Sequence, residues 1–288
     1  MKRTLIVLVM SVALPAAAQF PNIDLGKIID YGKKATEATK EFTQEEEIAI
    51  GEAAAAGFLG ASPLDSNANL QRYVNRVGKW LALHSERADL PWTFAVIDTE
   101  TINAFALPGG YIVVSKGLVK RLASESELAG VLAHEIAHVV KKHQITAIQA
   151  AAKSGLLTSI GKDVASSAVA RTGGGYAGQA AKQLGVNIAG DLLKDGFFLR
   201  PLDRSLETEA DQMAVVIAAR SGYDPYGLVA VLQMLAQDKG SNDGASVFST
   251  HPAPADRLAD LEKVMPAVER YATQPQVEGR FRKMTGAH

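Results

Sequence analysis

Apolar residues recur at helical spacing through most of this chain. From Asn67 to His84 the residues Leu70, Tyr73, Val74, Val77, Trp80 and Leu81 share one helical face, which predicts a helix with those side chains in the core. A second run, "SESELAGVLAHEIAHVVKKH", carries Leu128, Val131, Leu132, Ile136 and Val139 at the same spacing. It opens with Ser124 and Glu127 placed as a capping box, so a helix is expected to start there. Thr43 and Glu46 form a similar pair ahead of the helix formers in "TQEEEIAIGEAAAAGFLG", and "GASPLDSN" reads as the loop that follows.

Between these runs the periodicity changes. "WTFAVIDT" and "YIVVSKG" are short and rich in β-branched and aromatic residues, and "NAFALPGG" with its Pro-Gly-Gly turn separates them. Two strands of a small sheet are expected. Residues from about 150 to 200 shift to Ala, Gly and Ser with a break at Gly173-Gly174-Gly175, consistent with an insertion or a lid over a site. "RSLETEADQMAVVIAARSGYDPYGLVAVLQML" predicts two helices broken near Gly222 and Pro225, and "STHPAPADRLADLEKVM" a loop leading into a helix. The fold class is α+β, predominantly helical. One domain over 43–270 is expected, with a polar tail at 271–288.

The first residues change the picture of where the chain works. "MKRTLIVLVMSVALPAAAQF" has a basic start, a short apolar stretch and small residues up to Ala18, the anatomy of a cleavable signal peptide over 1–18. Residues 19–42 then form a weakly patterned arm. The apolar stretch is shorter than the roughly 20 residues that span a bilayer, so no membrane segment is expected in the mature chain. With no cysteine in the sequence, a lipoprotein anchor, disulfides and sulfur-ligated zinc are all excluded. The 30 basic and 31 acidic residues nearly cancel, which argues against nucleic acid as a partner.

The chemistry concentrates in "HEIAH". His134 and His138, four residues apart on a helix, lie on one face about 6 Å apart along the axis, and two imidazoles placed so can meet on one tetrahedral zinc. Glu135 is turned to the side of that face, where a carboxylate can take a proton from an activated water without ligating the metal. Buried, satisfied core histidines are the competing explanation. A catalytic zinc also needs a third protein ligand, and "LETEAD" supplies candidates. On a helix Glu207 and Asp211 share a face while Glu209 points roughly 160–200° away. Periodicity thus favours that pair, one carboxylate on the metal and the other orienting an imidazole, without saying which is which.

Taken together, "EEEIAIGE", "NAFALPGGYIVVSKGL", "ELAGVLAHEIAHVVKKH", "RSLETEADQMA", "SGYDP" and "THPAPADRLADL" resemble, in that order, the gluzincin metallopeptidases of the CAAX prenyl protease and HtpX-like family. The resemblance runs from about Glu45 to Leu261 and is nearest to the soluble periplasmic, BepA- and LoiP-like branch. It implies a zinc metalloendopeptidase with one Zn2+ per chain. It implies His134, His138 and Glu207 as ligands, Glu135 as general base and Asp211 as the carboxylate behind a ligand. His251 and Arg257 match the family's His-Pro motif, as catalytic residues near the metal, with His251 also a latent fourth ligand. Asn103, Gly109, Gly110, Tyr111, Ile112 and Val113 match an edge strand that borders the cleft and binds extended peptides. The expected substrates are unfolded or membrane-associated envelope proteins in the periplasm, as protein quality control. A latent or non-cutting zinc-stabilised chaperone of the envelope is the alternative. The chain ends soon after His251, so the helical repeat domain carried by some relatives is not expected.

Overall fold

The computed structural model describes residues 42, 44–153, 202–237, 251 and 253–286. The expected signal peptide, nearly all of the arm, Thr43 of the first capping box and nearly all of the 150–200 insertion lie outside the described residues.

Helix α1 spans Gln44–Ala61 and α2 spans Ala68–Ala82. Asn67 caps α2 by accepting from the backbone N–H of Asn69 and Leu70 at 3.0 and 3.2 Å. Leu70, Tyr73, Val74, Val77 and Leu81 are buried as the periodicity predicts. Trp80 is not: it is 49% exposed, and its indole N–H donates to the Ser221 carbonyl oxygen at 2.8 Å. Its place at the margin of the apolar stripe lets the polar tip reach a surface carbonyl, as amphipathic aromatics do.

The sheet has three strands, β1 (Thr93–Ile97), β2 (Ala104–Leu107) and β3 (Tyr111–Ser115), in the order β1-β3-β2. β3 pairs parallel with β1 and antiparallel with β2. This corrects two expectations. "NAFALPGG", expected only to separate two strands, contains a third. Tyr111, Ile112 and Val113, expected on an edge, lie in the central strand with both sides paired. Gly109 and Gly110 are in neither strand. They form a buried turn with φ of 73° and 97°, left-handed backbone that favours glycine, and a side chain at Gly109 would collide with Ile48 of α1.

The two outer edges differ. Gln71 of α2 caps β1 like a further strand, donating to the Val96 carbonyl oxygen at 2.7 Å and accepting from its N–H at 2.9 Å. The Asp65 N–H also donates to Val96 and the Asp98 N–H to Pro63. Among the described residues, β2 pairs with a strand on one side only. The edge strand of this segment is therefore Ala104–Leu107, with Asn103 just before it.

After the short α3 (Lys116–Arg121) comes α4 (Glu125–Val140), buried along nearly its whole length. Ser124 caps it by accepting from the Glu127 N–H at 3.1 Å, and Glu127 accepts from the Ala123 N–H, one residue earlier than a standard capping box. A helix this apolar on all sides needs partners all round. α2, the sheet, α6 (Arg204–Arg220) and α7 (Tyr226–Gln237) supply them. α5 (His143–Lys153) follows α4 after a reversal at Lys142, whose φ is 56°. α8 (Pro254–Glu262), α9 (Met265–Val268) and α10 (Glu278–Thr285) complete the chain. The expected C-terminal tail is corrected here, because α10 inserts a fully buried Phe281 into the main core.

Candidate metal centre

Three elements converge on the centre. α4 contributes His134, Glu135 and His138, α6 contributes Glu207 and Asp211, and the C-terminal part contributes His251 and, from α8, Arg257. All seven are buried. α4 and α6 pack along one another, and the acidic pair of α6 thereby meets the imidazoles of α4.

His134 Nε2 and His138 Nε2 lie 3.0 Å apart. Glu207 faces both, its Oε2 3.5 Å from His134 Nε2 and its Oε1 3.5 Å from His138 Nε2. His251 Nδ1 stands 2.7 Å from Glu207 Oε2, and its Nε2 is 3.8 Å from Glu135 Oε1. One ligand atom from each of His134, His138, Glu207 and His251 falls within 4.8 Å of all the others.

Behind the imidazoles, other groups fix their tautomers. His134 Nδ1 is 2.9 Å from Asp211 Oδ1, and a carboxylate only accepts, so this nitrogen carries hydrogen. His143 Nε2 is 3.3 Å from Glu209 Oε2, so in the neutral ring that nitrogen carries hydrogen and Nδ1 accepts. His138 Nδ1, 2.8 Å from His143 Nδ1, must then donate. Once His134 gives up its second proton, both candidate ligand imidazoles present Nε2 lone pairs to each other and to Glu207, whose buried Oε1 has no hydrogen-bond partner among the described residues. Three such inward lone-pair groups repel one another unless a proton or a metal cation sits between them. Two nitrogens and one carboxylate oxygen, with no sulfur, suit a zinc of the catalytic kind.

The electrostatics agree. Buried carboxylates at Glu135, Glu207 and Asp211 outnumber the single guanidinium of Arg257 in the cluster, an acceptor excess that suits a bound cation. Arg257 donates to Asp211 through Nε at 2.8 Å and Nη2 at 2.6 Å. Its Nη2 is nearly equidistant from the two His134 nitrogens, at 3.3 and 3.4 Å, and so is aimed at neither lone pair. Burial acts to raise the Glu207 carboxyl, but His251, His134 and His138 outweigh it and hold it far below the usual carboxylate range. Burial and Arg257 push His134 down, yet Asp211 and Glu207 lift it to about 9. His138 is held well down by burial and by His134. A cation that takes the place of the His134 proton satisfies both rings at once. Burial raises the Glu135 carboxyl, against the pull of His251 and His134.

The structure thus brings His134, Glu135, His138, Glu207, Asp211, His251 and Arg257 into one cluster. It distinguishes the two carboxylates that periodicity left equivalent: Glu207 faces the Nε2 atoms and Asp211 the far side of His134. Arg257 binds Asp211, behind the imidazoles. His143 and Glu209 were missed as members. Helical spacing could not link His143 to His138, because α4 ends between them and the chain reverses at Lys142. The only sequence signal was the "HVVKKH" spacing itself.

The profile of Peptidase family M48 matches residues 67–265. The chain is 31% identical over 226 residues to the beta-barrel assembly-enhancing protease of Escherichia coli K12, covering 78% of this chain and 45% of that protein. It is also 31% identical over 260 residues to the putative beta-barrel assembly-enhancing protease of Vibrio cholerae, covering 90% and 51%. A third relative is the mitochondrial metalloendopeptidase OMA1 of Schizosaccharomyces pombe, 31% identical over 198 residues, covering 68% and 53%. The chain spans about half the length of the curated relatives it matches.

Proposed function

Because this chain belongs to peptidase family M48, we propose that it is a zinc-dependent endopeptidase that cuts unfolded or misassembled proteins of the cell envelope. His134, His138 and Glu207 would hold the zinc. The observation that carries this reading is the convergence of two inward-facing Nε2 atoms and the unpartnered Glu207 Oε1 beside a buried Glu135. When bound, zinc supplies a Lewis acid that polarises a scissile carbonyl and acidifies a water.

The chain's own residues do the rest. Glu135, raised by burial, takes the proton of the attacking water and passes it to the leaving amine. His251 donates through Nδ1 to Glu207, and as an imidazolium it has a second N–H, at Nε2, to offer to the oxygen on which charge develops. Asp211 orients His134, and Arg257 holds Asp211. The edge of β2 offers backbone groups to an extended polypeptide, which binds with little demand on side chains. An envelope substrate is supported by the names of the bacterial relatives, which refer to β-barrel assembly. Export to the periplasm rests on residues 1–18. Among the described residues no helix is long and apolar enough to cross a membrane.

A second reading, a latent or non-cutting zinc-stabilised chaperone, draws on one observation: His251 lies within the ligand cluster and could close it as a fourth ligand. Cleavage of unfolded casein separates the two. Wild-type protein should cut it, and Glu135→Gln should keep one zinc per chain while losing activity by about 10²–10⁴-fold. Equal cleavage by both proteins would sink the endopeptidase assignment. A wild type that binds zinc and prevents casein aggregation without cutting would favour the second reading.

A further inference from the structure

The hydrogen-bonded chain behind His138 has no part in the proposed reaction. Where Asp211 orients His134 directly, His138 meets another imidazole. His143 opens α5, is 2% exposed, and places Nδ1 2.8 Å from His138 Nδ1. Its other nitrogen lies 3.3 Å from Glu209 Oε2, and Glu209 Oε1 is 2.6 Å from Lys141 Nζ. The chain therefore runs from a buried ligand nitrogen to a half-exposed ion pair. It also spans two helices: Glu209 sits on α6, the helix that carries Glu207, on its other side.

We propose that His143, clamped by Glu209, is a positioning residue that fixes the tautomer and ring orientation of His138 and thereby sets how tightly the centre holds its metal. The directionality is imposed from the outside inward. Glu209 can only accept, so it orders the His143 ring. That ring then presents an acceptor to His138, whose hydrogen is drawn to Nδ1 and away from Nε2. Turned the other way, His143 would donate to His138 Nδ1 and drive the hydrogen onto Nε2, where it would block a metal bond. The left-handed backbone at Lys142, uncommon for a residue with a side chain, is what brings His143 beneath His138. The same mechanism makes remote hydrogen-bond partners of ligating histidines matter for affinity in general.

This inference rests on His138 being a ligand, and its test is metal affinity, read without catalysis. Zinc binding by the full chain is measured by competition with a chromogenic chelator, with the cobalt absorption spectrum and thermal unfolding of the metal-free protein recorded alongside. Glu209→Ala and His143→Leu should weaken zinc binding by about 10–100-fold. Glu209→Gln and His143→Gln should recover most of it, because an amide oxygen can accept the same hydrogen bond. Glu209 is 45% exposed, so its variants should fold even if His143→Leu does not. A wild type that takes up no zinc would refute the ligand assignment itself. A wild type that binds zinc, with Glu209→Ala within twofold of it, would leave the ligands standing and overturn the positioning role. A loss in Glu209→Ala that Glu209→Gln shares in full would also overturn it, by pointing to charge in place of tautomer.

Discussion

Asp211 and Arg257 illustrate how single side chains in this centre serve stability and chemistry differently. Both are nearly inaccessible, and the guanidinium meets the carboxylate through two hydrogen bonds. Removing one partner of such a pair strands the other in a medium that solvates it poorly. Asp211→Asn keeps an oxygen that can accept from His134 Nδ1, so zinc content should hold. The stranded Arg257 should nevertheless cost about 3–5 kcal/mol of unfolding free energy, read from urea denaturation of the zinc-loaded protein. Adding Arg257→Met should recover part of the loss. A cost below about 1 kcal/mol would mean that the pair behaves like a surface ion pair.

At the scale of elements, the centre depends on how closely α4 can approach its neighbours. Gly130 faces α7, where a Cβ would lie 2.6 Å from the Leu228 backbone nitrogen and 2.8 Å from its Cα. Neither is the movable end of a side chain. Alanine is the better helix former by about 1 kcal/mol, and in an exposed helix Gly130→Ala would stabilise. Here α4 and α7 must part, and overpacking of this kind costs about 1–3 kcal/mol. The melting temperature should therefore fall by several degrees. A rise on calorimetry would show that propensity outweighs the contact. Because His134 lies one helical turn beyond Gly130 on the same side of α4, displacement of α4 should also reduce zinc affinity.

Across the whole molecule, a second buried polar cluster ties the chain's end to its middle. Glu125, at the start of α4, is fully buried and accepts from Tyr73 of α2 at 2.5 Å, from Tyr223 ahead of α7 at 2.8 Å, and from Arg280 of α10. Burial acts to raise its carboxyl, but Arg280 and the two tyrosines prevail and hold it below its usual value near 4.5. A carboxyl with a depressed folded-state pKa contributes stability that is full above the unfolded-state value. That contribution drains as pH falls through the folded-state value. The urea midpoint should thus drop on acidification below about pH 4.5, and Glu125→Gln should flatten that limb of the profile. An unchanged acid limb in the variant would show that other carboxylates carry it. Phe281, beside Arg280, adds about 1.5–3 kcal/mol through burial of its ring.

The sequence by itself determined what repeats locally. The 3.6-residue periodicity marked α2 and α4, the capping box at Ser124 and Glu127 marked the start of α4, and the four-residue interval placed His134 and His138 on one face with Glu135 beside them. Each of these follows from backbone geometry within a few residues. The sequence also narrowed the acidic partners to Glu207 and Asp211, since one helix turn separates them. Which of the two faces the imidazoles was decided only by the packing of α6 on α4, as was the capture of Arg257 by Asp211. Strand order had the same dependence. Nothing local distinguishes Tyr111–Val113 as a central strand from Ala104–Leu107 as an edge, because pairing is set by partners far along the chain. His143 lay beyond any periodic rule, its place beneath His138 fixed by a chain reversal at a lysine. Trp80 and α10 show the converse, where a stripe or a polar composition gave the wrong burial because the neighbouring surface, and not the pattern, decides what is covered.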